Sequence, residues 1–141
     1  SPISALVGKD SLKESAENVY FTGTQFLNSA PMAAAKATID ELVKQDAVTK
    51  MNNFGNLLKE SLVKIAEDFD VKMIVSGVPA MPYFRIEDED KTLHSRWVDA
   101  CLSKGLYLTD YHNHFISVAH EEEHLKKVED IARAAFEVVK L

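Results

Sequence analysis

Residues 71–86 read VKMIVSGVPAMPYFRI, and the fold class turns on them. Up to Asp70 the apolar residues recur every three or four positions, as on one face of a helix. From Val71 the pattern becomes extended. Residues 71–76 make one expected strand, Gly77-Val78-Pro79-Ala80 breaks it, and 81–86 make a second. Strands joined so closely pair antiparallel, because a parallel partner needs a long crossover.

Outward from this hairpin the pattern is helical on both sides. Upstream, a helix is expected over 29–45, with Met32, Ala35, Ile39, Leu42 and Val43 on one side. A second runs over 48–69, striped by Met51, Phe54, Leu58, Leu62, Ile65 and Phe69. Gly55 inside it costs helix stability, which points to a close packing partner. Downstream, 87–91 reads as a solvated acidic turn. Residues 92–104 read as a helix with Leu93, Trp97, Ala100 and Cys101 on one face, stopped by Gly105. Short strands are expected at 106–108 and 115–119, giving a three- or four-stranded, largely antiparallel sheet within 71–119. Glu121-Glu122-Glu123 then opens the last helix against its positive dipole end, with Leu125, Val128, Ile131, Ala132, Ala135 and Val139 as its apolar face. At the other end, 3–7 reads as a short buried strand, 10–18 as a short helix, and 19–21 as an extended lead into Thr22-Gly23-Thr24. The fold class is therefore α+β (α/β in the broad sense): a small antiparallel sheet covered by helices on one side.

The chain of 141 residues is 46% hydrophobic and 27% charged, an ordinary globular composition large enough for a core. A net charge of −6 without a basic stripe argues against a nucleic-acid partner. No apolar run reaches membrane-span length and no signal peptide is visible. The single Cys101 cannot form an internal disulfide and reads as a small buried residue, which fits a reducing, cytoplasmic setting. The opening SPISALVG has no start methionine, so a piece of a longer chain is expected.

Residues 21–35, FTGTQFLNSAPMAAA, combine a turn with a helix start. Gly23 lies between two hydroxyls, Asn28 and Ser29 are N-cap types, and Pro31 suits a first helical turn. A Gly-Thr turn near a helix N-terminus supplies the parts of an anion or phosphate site, although most helices begin this way for stability alone.

Residues 2–8 (Pro-Ile-Ser-Ala-Leu-Val-Gly), 21–24 (Phe-Thr-Gly-Thr) and 28–34 (Asn-Ser-Ala-Pro-Met-Ala-Ala) resemble the class III aminotransferase family, and within it the glutamate-1-semialdehyde aminomutases. The likeness spans essentially the whole chain. It departs where the family keeps Gly-Asn-Pro and this sequence has Asn28-Ser29-Ala30-Pro31. The resemblance implies a pyridoxal 5'-phosphate enzyme that moves an amino group on a small amino acid or semialdehyde. It implies that the Schiff-base lysine lies upstream of Ser1, so no catalytic residue falls in this chain, which by itself would be inactive and would bind no cofactor. It implies two domains: 1–45, a remnant of the large cofactor-binding domain, and 46–141, the C-terminal small domain. Gly23 and Thr24 would be cofactor-binding, contacting the phosphate across a homodimer interface. The partners implied are a second subunit and a small-molecule amino-group donor or acceptor.

Two other readings stand beside this one. A free-standing α+β binding module without catalysis would have the same fold class. His112 and His114, two apart and on one face of a strand, with Asp110, His120 and His124 nearby, could begin a zinc or copper site, but the set is loose and no metal site is assigned. Lys9, Lys36 and Lys72 lie on polar faces or at element ends, and none has the setting of a Schiff-base lysine.

Overall fold

A computed structural model describes residues 3–20, 22–89 and 92–140. The chain divides into two compact units, Ser1–Gln45 and Asp46–Leu141.

In the first unit a 3-10 turn, Asp10–Leu12, runs into α1, Lys13–Glu17, and a longer helix follows, α2, Ser29–Lys44. Asn28 caps α2: its side chain accepts the Ala30 N–H at 3.3 Å. The expected apolar side of α2 is largely solvent-facing. Met32, Ile39 and Val43 are exposed by 50%, 60% and 75%, and Pro31 is the one buried residue among those described in this unit. The strand expected at 3–7 is not there; those residues are irregular and exposed. Strand preference is chiefly a preference for packing on a neighbouring pleated surface, and no described residue offers one. The reading of 19–21 falls partly outside the described residues, at Phe21; Val19 and Tyr20 are exposed.

The second unit holds the core. Its elements are α3, Ala47–Asp68; β1, Met73–Ser76; β2, Tyr83–Ile86; α4, Thr92–Ser103; and α5, Glu122–Val139. The two strands pair antiparallel, with Met73 opposite Ile86 and Val75 opposite Phe84. Side chains on a strand alternate between faces, so Met73, Phe84 and Ile86 turn inward against the helices while Ile74 stays exposed. Leu58, Leu62 and Ile65 of α3, Trp97, Val98 and Cys101 of α4, and Ala132, Ala135, Phe136 and Val139 of α5 complete one continuous core. At its centre the Phe136 ring stacks between Trp97 at 5.1 Å and Phe69 at 5.5 Å. The buried Trp97 N–H is satisfied by the Ala132 carbonyl at 3.3 Å.

Gly55 has the close partner its position in a helix suggests. A Cβ there would lie 1.9 Å from the Pro79 carbonyl oxygen, so α3 rests directly on the backbone of the β1–β2 connection. Gly105 ends α4 in the left-handed region at φ +91°, with Leu106 N–H on the Cys101 carbonyl and Gly105 N–H on the Leu102 carbonyl, both at 3.0 Å. Asp70 occupies the same left-handed position after α3, at φ +55°.

The described sheet has two strands, not the three or four expected within 71–119; 106–108 and 115–119 are irregular. The later segment runs beside the chain before β2. His114 N–H donates to the Pro82 carbonyl at 2.8 Å and Ile116 N–H to the Ala80 carbonyl at 3.0 Å. Pro82 has no N–H to return, so those two bonds do not grow into a ladder. The acidic turn at 87–91 also has work to do: Asp88 accepts the Leu93 N–H at 2.7 Å and so caps the start of α4, while Asp90 and Lys91 lie outside the described residues.

Candidate functional site

The Gly23–Thr24 segment lies in a turn closed by Phe26 N–H on the Gly23 carbonyl at 2.9 Å. Leu27 at φ +59°, and not Gly23, takes the left-handed conformation here. The conformational freedom of glycine is therefore not what shapes the turn. Nothing lies within 4 Å of where a Gly23 side chain would begin. Gly23 borders a cavity of about 430 Å³, with Thr22, Phe26, Asn28 and Met32 also in its wall. Among the described residues the Thr24 hydroxyl and the Gly23 and Thr24 amides have no acceptor or donor partner.

Helix α2 itself has little left to offer an anion. Asn28 already takes the Ala30 N–H, Pro31 has none, and no acidic side chain sits in the first turn. The turn offers a phosphate the Thr24 hydroxyl and the Gly23 and Thr24 amides, none of them partnered among the described residues. That set fits the phosphate end of a cofactor. It holds no group for a ring or an attachment point. Lys36 and Lys72 are solvent-exposed and paired with Asp40 and Glu87, each at 2.5 Å.

In the second unit the histidines separate. The segment at 112–114 is irregular rather than a strand, so spacing by two does not put both imidazoles on one face. His112 is exposed, its ring 5.9 Å from Phe115. The His114 ring lies 5.5 Å from Phe84, and its Nε2 accepts the Thr109 N–H at 3.2 Å. His120 Nδ1 takes the Ser117 N–H at 3.0 Å and His124 Nδ1 the Glu121 N–H at 2.9 Å. These rings act as local caps, and no three metal-ligating side chains converge among the described residues. His94, missed in the sequence reading, is 1% exposed, and its Nδ1 accepts the Ile86 N–H at 3.3 Å. Its place on the apolar face of α4, beside Trp97, was the available signal. Burial lowers the pKa of both His94 and His114, and burial raises that of the Cys101 thiol to about 12, which makes it a poor nucleophile.

No protein-family model matches the chain. Individual relatives do. An aminopentol aminotransferase of Sphingopyxis macrogoltabida is 29% identical over 98% of this chain and 33% of its own length. A 3-aminobutyryl-CoA aminotransferase of Cloacimonas acidaminovorans is 28% identical over 99% of this chain and 35% of its own. A glutamate-1-semialdehyde 2,1-aminomutase of Methanothrix thermoacetophila is 30% identical over 89% and 33%. Among solved structures, the FumI protein of Sphingopyxis sp. MTA144, in its pyridoxal-phosphate internal aldimine form, superposes with a TM-score of 0.86 at 24% identity, over 94% of this chain and 32% of that one. The chain thus spans about a third of the length of the curated relatives it matches. Alike in sequence over nearly its whole length, and alike in fold, the chain is a homologue of the class III pyridoxal-phosphate aminotransferases and glutamate-1-semialdehyde aminomutases.

Proposed function

We propose that this chain is the C-terminal part of a pyridoxal-phosphate-dependent aminotransferase or aminomutase that moves an amino group on a small-molecule substrate. The observation that carries the reading is the match to an aminotransferase across 98% of the chain. Residues 1–45 would belong to the large cofactor-binding domain and 46–141 to the small domain that closes over substrate. The complete enzyme would be a cytoplasmic homodimer with an amino-group donor and acceptor as its substrates. The cofactor would supply the electron sink for the bond broken at the amino carbon.

This chain's own contribution is at the phosphate. The Thr24 hydroxyl and the free Gly23 and Thr24 amides would hold the phosphate of the neighbouring subunit's cofactor through charge-assisted hydrogen bonds. The lysine that attaches the cofactor would lie elsewhere in the complete protein, so the isolated chain has no transaminase activity. Borohydride reduction of the chain with pyridoxal phosphate should leave no lysine stoichiometrically labelled.

Thr24→Val keeps the β-branched shape and removes the hydroxyl. In the full-length enzyme, losing one hydrogen bond to a charged group weakens cofactor binding by about 1.5–3 kcal/mol. The apo melting temperature stays unchanged, because Thr24 is exposed. Unaltered affinity, or an apo melt lowered as much as the holo melt, would make Thr24 structural and end the phosphate assignment.

A further inference from the structure

The second unit contains a cavity of about 320 Å³. Phe54 and Leu58 of α3 and Phe84 of β2 form part of its wall, and Thr109, His114 and Ile116 form another part. That second part is a stretch without regular structure, fastened at a few points. Tyr83 Oη donates to the Asp110 carbonyl at 2.9 Å and Ser95 Oγ to its carboxylate at 3.2 Å. The His114 and Ile116 amides hold the Pro82 and Ala80 carbonyls. Within the stretch, two bonds from Thr109 close the bend: its hydroxyl donates to the His112 carbonyl at 3.1 Å, and its N–H donates to His114 Nε2, the one titratable acceptor of the two.

We propose that residues 109–116 are an acid-released cover over this cavity, with the neutral imidazole of His114 as its latch.

Accepting an N–H at Nε2 requires a lone pair there, which fixes the ring as neutral with its proton on Nδ1. The Nδ1 atom is buried and has no well-formed hydrogen bond. A second proton would set Nε2–H against the Thr109 N–H and leave a cation between Phe84 and the Pro82 backbone. The groups facing it do not rescue that charge. The Pro82 carbonyl favours the charged ring, but burial and the neighbouring His112 oppose it, and His94 approaches from α4 as another cation former. His94 differs in kind, because it meets Asp88 and Asp110 as well as Arg85, and the amide it holds belongs to β2 rather than to the cover.

His114 has its native pKa below the ordinary 6.5, whereas a released cover returns it to that value. Docking is therefore fully stabilised above 6.5 and weakens as the pH falls toward the lowered native value, because the released form binds the proton first.

Hydrogen–deuterium exchange on the 141-residue chain tests this and needs no cofactor, so it stands or falls apart from the proposed activity. Peptides covering 106–117 are compared between about pH 7.5 and about pH 5, after correction for intrinsic rates, and should lose protection in acid. Peptides from α3 should keep theirs. His114→Gln retains an acceptor without a titrating charge and should keep the cover protected at both values. Equal protection of wild type at both values, parallel loss from α3, or an undiminished acid response in His114→Gln would each overturn the proposal. If that variant fails to fold, ring nitrogen resonances of the wild type decide. His114 should show the Nδ1–H form at neutral pH and titrate together with the loss of protection; the opposite tautomer, or titration without release, overturns it.

Discussion

Helices α2 and α3 carry the same kind of sequence signal, an apolar stripe at three- and four-residue spacing, and end in opposite circumstances. The stripe of α3 is covered: Leu58, Leu62 and Ile65 are buried against β1 and α5. The stripe of α2 faces solvent at Met32, Ile39, Leu42 and Val43. Periodicity states that a helix has a face to bury, and it is silent on where the covering surface comes from. In the second unit the surface is supplied within 46–141, by elements far apart in sequence. In the first, none of the described residues supplies it.

The comparison predicts unequal costs for truncating an apolar side chain in each unit. Phe136→Ala removes a ring stacked between Trp97 and Phe69 at 0% exposure and should destabilise the second unit by about 3–5 kcal/mol. Ile39→Ala, on the exposed face of α2, should change stability by less than about 0.5 kcal/mol. Denaturant titration followed by circular dichroism reads both effects, and Cys101 labelling marks the opening of the second unit, since that buried thiol, its pKa raised to about 12, reacts only when that unit opens. Equal effects would mean that the stripe of α2 is packed in solution and would erase the contrast.

A pair of glycines sharpens the same point. Gly55→Ala drives a methyl group into the Pro79 carbonyl and should cost about 3 kcal/mol, the upper part of the overpacking range. Gly23→Ala enters open space at an ordinary φ and should leave the melt within about 0.5 kcal/mol of wild type. A tolerated Gly55→Ala would show that α3 and the β1–β2 connection can move apart cheaply.

The smallest effect is expected at Asp70. Asp70→Gly relieves a left-handed residue but adds freedom to the unfolded chain, for a net gain under about 1 kcal/mol by thermal melt. A loss instead would mean that the Asp70 side chain matters more than its backbone conformation.

The helices, the hairpin and the candidate turn were legible because each depends on local features. Asn28 and Gly105 mark helix ends by backbone chemistry, and 71–86 announces a hairpin by its change of period. The extra strands at 106–108 and 115–119 were misread because a short apolar run becomes a strand only if a partner offers both donors and acceptors. Ala80 and Pro82 offer mainly carbonyls. The likeness to aminotransferases, in turn, rests on sequence shared over nearly the whole chain rather than on any reactive side chain within it.

By itself, then, the sequence determined the helices, the antiparallel hairpin, the tight place for Gly55 and the kinship of the chain. Only the tertiary structure decided which apolar faces are covered, that Leu27 rather than Gly23 takes the strained backbone, and that His112 and His114 diverge. It also decided that His94 and His114 are neutral acceptors for backbone amides. The reason is physical: propensity and period act over a few neighbouring residues, whereas burial and the pairing of a buried polar atom depend on segments distant in sequence meeting in space.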